Sequence, residues 1–244
     1  MRIEVFDTAD DVARAVAQRV ASALRTRPSL VLGLPTGRTP IAAYAELRRL
    51  HAEGLADFSR ASTFNLDEFA GVPPAHPGSF RRFMETHLFG AVNLPPHQIH
   101  FLSGVAADLD AECDRYEESI AAAGGIDVQI LGIGGNGHIG FNEPGDELTA
   151  RTHRVTLADS TRRDNAGLFD GDPAQVPREA LSMGMGTILK AAELVMIATG
   201  ERKAHCIERT VRGPVTTRLP ASFLQMHRRV VLYLDRAAAS RLRD

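Results

Sequence analysis

"SLVLGLPTGRTPIAAYAELRRLHAEG", residues 29–54, decides how the rest of the chain is read. Its first part, SLVLGLP (29–35), is an almost unbroken apolar run, as expected of a strand covered on both faces. TGRTP then turns the chain into IAAYAELRRLHAEG (41–54), where apolar residues recur at helical spacing and Pro40 suits a first turn. A strand buried on both faces and followed by an amphipathic helix is the building unit of a parallel sheet, because parallel neighbours need a crossover.

The same unit recurs along the chain. RIEVF (2–6) reads as a strand and TADDVARAVAQRVASAL from Thr8 as a helix, with Thr8 and Asp11 spaced as a capping pair. Further strands are expected at ASTFNL (61–66), IHFL (99–102), IDVQILGIG (126–134), HRVTLA (153–158), ELVMIATG (193–200) and RRVVLYL (228–234). Helices are expected near Ser79 to Leu88, at DLDAECDRYEESIAAAG (108–124) and at ERKAHCIERTV (201–211). The alternation predicts an α/β fold, a mostly parallel sheet between two helix layers, within one domain spanning residues 1–244.

Composition narrows the function classes. The 244 residues are 44% hydrophobic and 24% charged with a net charge of −2, which gives no electrostatic reason to expect nucleic acid. Cys113 and Cys206 have no CxxC spacing, so neither a disulfide framework nor a zinc knuckle is suggested. RIEVF follows Met1 without a signal-like segment, and no apolar run approaches the roughly 18 residues of a membrane span, so a cytoplasmic protein without membrane contact is expected.

In an open parallel sheet, ligands sit beyond the carboxyl ends of the strands, and four unusual loops follow predicted strands. LPTGRTP (34–40) puts Thr36, Gly37, Arg38 and Thr39 ahead of a helix N-terminus, where free N–H groups can hold an anion; a tight turn with Thr39 as N-cap explains it nearly as well. TGERK (199–203) offers Arg202 or Lys203 to the same anion, or simply solvated charge. NLDEF (65–69) sets Asp67 and Glu68 after an apolar strand, where partial desolvation could make one of them a general base, unless it only caps local backbone.

The fourth loop, LGIGGNGHIGFNEPG (131–145), is the most specific, with six glycines around His138, Asn136 and Glu143. His138 could exchange protons near neutral pH while Asn136 or Glu143 orients its ring. Gly132, Gly134 and Gly137 mimic a dinucleotide fingerprint, but Pro144 and the absence of an acidic strand end downstream weigh against it. No HExxH or close histidine cluster suggests a metal.

These blocks, with HPGSF (76–80), TRRDNAGLF (161–169), ALSMGMGTIL (180–189) and GERKA (200–204), resemble the glucosamine-6-phosphate deaminase family, a relative of 6-phosphogluconolactonase. The resemblance implies a Rossmann-like three-layer α/β/α sandwich and conversion of glucosamine 6-phosphate and water to fructose 6-phosphate and ammonia, without metal or redox cofactor. It implies Asp67 as the base moving a proton from C2 to C1. It implies His138, set by Asn136 and Glu143, as the ring-opening group, and Thr36, Gly37, Thr39 and Lys203 as phosphate ligands. A galactosamine-6-phosphate deaminase, a 6-phosphogluconolactonase and a non-catalytic sugar-phosphate sensor are the rival readings.

Three departures from the family pattern matter. Asn136 stands where many members carry aspartate; an amide can still accept a hydrogen bond from an imidazole but cannot stabilise its cation by charge. Gly167 stands where the family usually has a phosphate-binding arginine, and Arg38 stands where a small residue is common, so Arg38 is expected to supply the missing guanidinium. Of the positions near His153 to Val155 that allosteric relatives use, Arg154 alone is basic, so a non-allosteric enzyme, monomeric or a small homo-oligomer, is expected.

Overall fold

The computed structural model describes residues 1–242. Among them the chain forms strands β1 (Arg2–Phe6), β2 (Val31–Leu34), β3 (Ser62–Asn65), β4 (Asp67–Phe69), β5 (Ile99–His100), β6 (Val128–Leu131), β7 (His153–Thr156), β8 (Glu179–Ser182), β9 (Glu193–Ala198) and β10 (Val230–Asp235). The helices are α1 (Ala9–Thr26), α2 (Ile41–Ala52), α3 (Phe80–His87), α4 (Leu109–Ala122), α5 (Asp159–Asn165), α6 (Met185–Leu189) and α7 (Ala204–Arg212). Thr8 caps α1 as expected: its hydroxyl accepts from the Asp11 N–H, and the Asp11 carboxylate accepts from the Thr8 N–H, each at 3.1 Å.

Seven strands make one sheet in the order β1-β10-β9-β6-β2-β3-β5, and every pairing in it is parallel. All positions of β2, β6 and β9 are buried, which is why their sequences are apolar runs interrupted only by Gln129 and Glu193. Edge strand β1 instead leaves Ile3 and Val5 exposed. From β2 the chain steps out to β3 and β5, then returns to β6 on the opposite side of β2. Strand order therefore reverses between β2 and β6, and in open parallel sheets the ground beyond the carboxyl ends at such a reversal is where ligands sit.

Helices cover both faces. Val16, Val20 and Leu24 of α1, with Tyr44 and Leu47 of α2, pack against Leu32, Ile130 and Val195. On the other face Tyr116 and Ile120 of α4, Ile188 of α6 and Ile207 of α7 pack against Phe64, Leu131, Met196 and Leu232. Each such side chain contributes on the order of 1.5–3 kcal/mol by leaving water. The three-layer α/β/α arrangement expected from the alternation is what forms.

Two expectations need correction. NLDEF does not continue as a loop: Asp67–Phe69 is a short strand that pairs antiparallel with β8, and β8 pairs antiparallel with β7. HRVTLA therefore belongs to this second, three-stranded sheet and not to the large one. The alternating half-buried pattern of β7 is the mark of an antiparallel strand with one wet face, whereas the inner strands β2, β6 and β9 are dry on both. Phe69, Phe80, Phe141 and Phe169 fill the small core beneath it, with Phe69 ring centroids 4.6, 5.6 and 5.3 Å from the other three.

The small sheet sits against the residues after β5. The Gly71 N–H donates to the Gly104 carbonyl at 2.7 Å, and a Cβ on Gly104 would lie 2.0 Å from the Phe69 carbonyl oxygen. Backbone cannot yield as a side-chain tip can. Gly104→Ala is expected to lower the unfolding free energy by about 2–4 kcal/mol in urea titrations, while Gly135→Ala, which opens onto empty space, stays within about 0.5 kcal/mol.

Candidate functional site

The four loops singled out in the sequence do meet at one rim, because the strands they follow lie side by side as β9, β6, β2 and β3. After β6 the chain does not enter a helix. It makes a tight turn in which the Gly137 N–H donates to the Gly134 carbonyl at 3.1 Å and the Gly134 N–H to the His138 carbonyl at 3.0 Å. The next helix is α5, so the dinucleotide resemblance of GIGGNG has no helix N-terminus to act through.

Two glycines make the turn possible. Gly137 takes φ of +92°, in the left-handed region that side chains disfavour. A Cβ on Gly134 would lie 2.4 Å from the His138 ring, so only glycine lets the imidazole lie down on the backbone. The ring Nδ1 is then 3.5 Å from Glu143 Oε2.

Glu143 is fastened from three sides. Asn136 Nδ2 donates to its Oε2 at 2.8 Å, and the Thr161 hydroxyl, reaching in from α5, donates to its Oε1. Burial by itself would raise its pKa, but His138, Thr161 and Asn136 together outweigh that and hold it at about 2. The Asn136 carbonyl oxygen accepts from the His138 backbone N–H at 3.1 Å and not from the ring. The expectation that the amide orients the imidazole directly is thus corrected: it shapes the turn and braces Glu143, and Glu143 faces the ring.

Asp67 approaches the same loop from β4. Its Oδ2 lies 3.7 Å from where a Cβ on Gly140 would be, two residues past His138. The side chain is 6% exposed and its Oδ1 is buried without a hydrogen-bond partner. Burial, with the Glu68 charge second, pushes its pKa up to about 8. Glu68 has the bland role that the sequence left open for this pair: its carboxylate accepts from the N–H groups of Phe69, Phe80 and Arg81, each at 2.9 Å, tying β4 to the start of α3. Burial raises Glu68 to about 7, those three donors opposing the rise.

The anion candidates lie beside it. Gly37 turns the chain at φ of +96°, and Pro40, not Thr39, stands at the N-cap of α2 with no side chain capping it, so the Thr39 N-cap alternative fails. The Ile41 N–H donates to the Arg38 carbonyl at 3.4 Å, and the amides of Ala42 and Ala43 are left to a ligand or to water. Lys203 sits after β9, its Nζ donating to the Ile133 carbonyl at 2.7 Å, and burial lowers its pKa. Arg38 is exposed, and its Nη2 lies 3.7 Å from where a Cβ on Gly167 would be. The guanidinium thus occupies the space a side chain at 167 would enter.

Sequence reasoning missed Thr161 and Ser182. Ser182, fully buried opposite Asp67 on β8, has a hydroxyl that accepts from the Phe141 N–H at 3.0 Å and donates to the Met183 carbonyl at 3.1 Å. A hydroxyl in an otherwise apolar strand end was the available signal. Arg154 is spent in a pair with Glu179, Nε and Nη2 at 3.0 and 2.6 Å from its oxygens.

The family profile described as glucosamine-6-phosphate isomerases/6-phosphogluconolactonase matches residues 5–233. The chain belongs to this family. Within it, a protein named glucosamine-6-phosphate deaminase 2 from Giardia intestinalis is 48% identical, over 96% of this chain and 89% of its own length. One of the same name from Bacillus subtilis (strain 168) is 46% identical, over 100% and 98%. A solved structure described as a monomeric glucosamine-6-phosphate deaminase superposes with a TM-score of 0.95 at 38% identity, covering 99% of this chain and all of that one. Family members described as 6-phosphogluconolactonases, such as that of Trypanosoma brucei at 19% identity and a TM-score of 0.78, share the fold.

The buried Asp67 carboxyl makes stability depend on pH in a definite direction. Its folded pKa is raised from 3.8 to about 8, so its contribution is fully present below about pH 4 and is lost as pH rises through about 8. Asp67→Asn should therefore melt on the order of 5–10 °C above wild type at pH 9, and the gap should close toward pH 4, as read by calorimetry.

Proposed function

We propose that this family member is a glucosamine-6-phosphate deaminase, releasing ammonia from glucosamine 6-phosphate and water and leaving fructose 6-phosphate. The observation that carries the reading is Asp67, a buried carboxylate without a partner, facing the loop that holds an imidazole against an ionised carboxylate. A general base needs a pKa near working pH, and a proton shuttle needs a fixed counter-charge.

In this reading His138 relays the protons that open the pyranose, and Glu143 steadies the imidazolium that forms in passing. Asp67 then removes the C2 proton of the open chain, giving an enolamine, and returns it to C1. The product is the C2 imine, to which water adds before ammonia leaves. Thr36, Gly37, Thr39 and Lys203 hold the phosphate, together with Arg38 in place of the side chain that Gly167 lacks. The protein acts as a monomer, by analogy with the relative described as monomeric.

Glucosamine 6-phosphate, galactosamine 6-phosphate and 6-phosphogluconolactone, assayed side by side for ammonia, ketose and acid, test the assignment. Ammonia from the first sugar is expected, and acid from the lactone alone would overturn it. Asp67→Asn should lose about 10²–10⁴ in turnover while staying folded. In wild type, kcat/KM should climb as pH rises toward about 8, because only the ionised carboxylate accepts the proton.

Arg38→Ala should raise KM for the phosphorylated sugar about 10–100-fold with little change in kcat, the usual loss for a hydrogen bond to a charged group. Adding Gly167→Arg to that variant should recover most of the affinity, since both side chains reach one space. An unchanged KM in Arg38→Ala would refute the substitution.

A further inference from the structure

Residues 214–222, PVTTRLPAS, lie between α7 and β10 and had no part in the reading of the sequence. In the structure they grip the His138 loop at both ends. At the near end Leu219, 2% exposed, fills the space beside Gly137, where a Cβ would lie 2.2 Å from Leu219 Cδ1. The Ala221 N–H donates to the Gly137 carbonyl at 3.0 Å. At the far end the Gly145 N–H donates to the Thr217 carbonyl at 3.3 Å, the Thr217 hydroxyl donates to the Asp146 carbonyl at 3.1 Å, and Arg218 pairs with Asp146.

The gripping segment is itself closed. The Leu219 N–H donates to the Thr216 carbonyl at 3.0 Å, and the Ser222 hydroxyl accepts from the Thr216 N–H at 2.9 Å and donates to its carbonyl at 3.1 Å. The loop it holds is the opposite, rich in glycine and without helix or ladder, so its backbone has much freedom to lose. His138 and Glu143 lie between the two grips, and the 3.5 Å between them is a distance that small backbone shifts would change.

We propose that Thr216 to Ser222 is a positioning brace for proton transfer: it fixes the spacing of His138 and Glu143 from outside, with Leu219 as its central contact. The proposal rests on the role given to that pair above. It adds that the efficiency of the pair is set by a segment whose hydrogen bonds go to Gly137, Gly145 and Asp146 on either side of it.

A kinetic cycle tests it. Leu219→Ala should lower kcat about tenfold with KM within about twofold, since misplaced catalytic groups lose rate before binding. The same substitution made in a Glu143→Gln background should cost less than about twofold, because the spacing it disturbs no longer matters there. Leu219→Met, which refills the space, should restore most of the rate. Thr217→Val/Arg218→Ala removes the polar ties to Asp146 without opening the core, and should lower kcat about threefold with the same loss of effect beside Glu143→Gln.

Hydrogen exchange reads the brace without any substrate. The amides of Gly137 and His138, bonded to the Gly134 carbonyl and Asn136 Oδ1, should exchange at least about tenfold faster in Leu219→Ala and in the double variant. The amide of Leu66, bonded to the Leu34 carbonyl, should be unchanged. Fully additive kinetics in the Glu143→Gln background, or exchange that changes everywhere or nowhere, would overturn the proposal. A wild type that released no ammonia would instead overturn the reading of the reaction, and the exchange comparison would still decide the brace.

Discussion

The carboxylate of Glu68 is the fixture on which the rest of the site hangs. Buried and holding three backbone N–H groups, it joins the start of α3 to β4 and leaves its neighbour no choice of direction. Side chains alternate along a strand, so with Glu68 turned toward α3, Asp67 must turn the other way, toward Gly140 and the crevice. One acid absorbs the local donors, and the other is left without any. That division of labour between adjacent carboxylates separates the acid that ties the backbone together from the one left buried and unpaired.

The large sheet was legible because its inner strands are dry on both faces and its helices carry a single apolar stripe. β2, β6 and β9 were plain in the sequence for that reason, down to the loops that follow them. The small sheet was not, because β4 is three residues long and NLDEFAG carries the acids and the glycine expected of a turn. Nothing local says that Asp67–Phe69 pairs with Glu179–Ser182, more than a hundred residues away. Long-range pairing of short strands is set by the core beneath them, here four phenylalanines drawn from separate parts of the chain.

The residue types at the site were visible for their chemistry, but their partners were not. Asn136 could be named, yet its oxygen faces a backbone N–H and its nitrogen faces Glu143, and only the turn at Gly137 decides that. Thr161 and Gly167 lie on one short stretch that crosses from Glu143 to Arg38. The stretch carries a hydroxyl for Glu143 and an empty position beside Arg38, so one segment borders both groups.

The reversal of strand order between β2 and β6 has a consequence for how the chain is made. Val31 is bonded to Asp127 across 96 residues, and the crevice beyond them is completed by Lys203 and by the contacts of Leu219. A nascent chain emerging from the ribosome can pair β2 with β3 early, but it meets the walls of its own crevice only once Lys203 and Leu219 have been made. Contacts so far apart in sequence carry the loop-closure cost that slows folding. Until then the apolar flank that β6 must turn toward β9 stands open, and such exposed flanks are what make a partly made chain prone to stick to others.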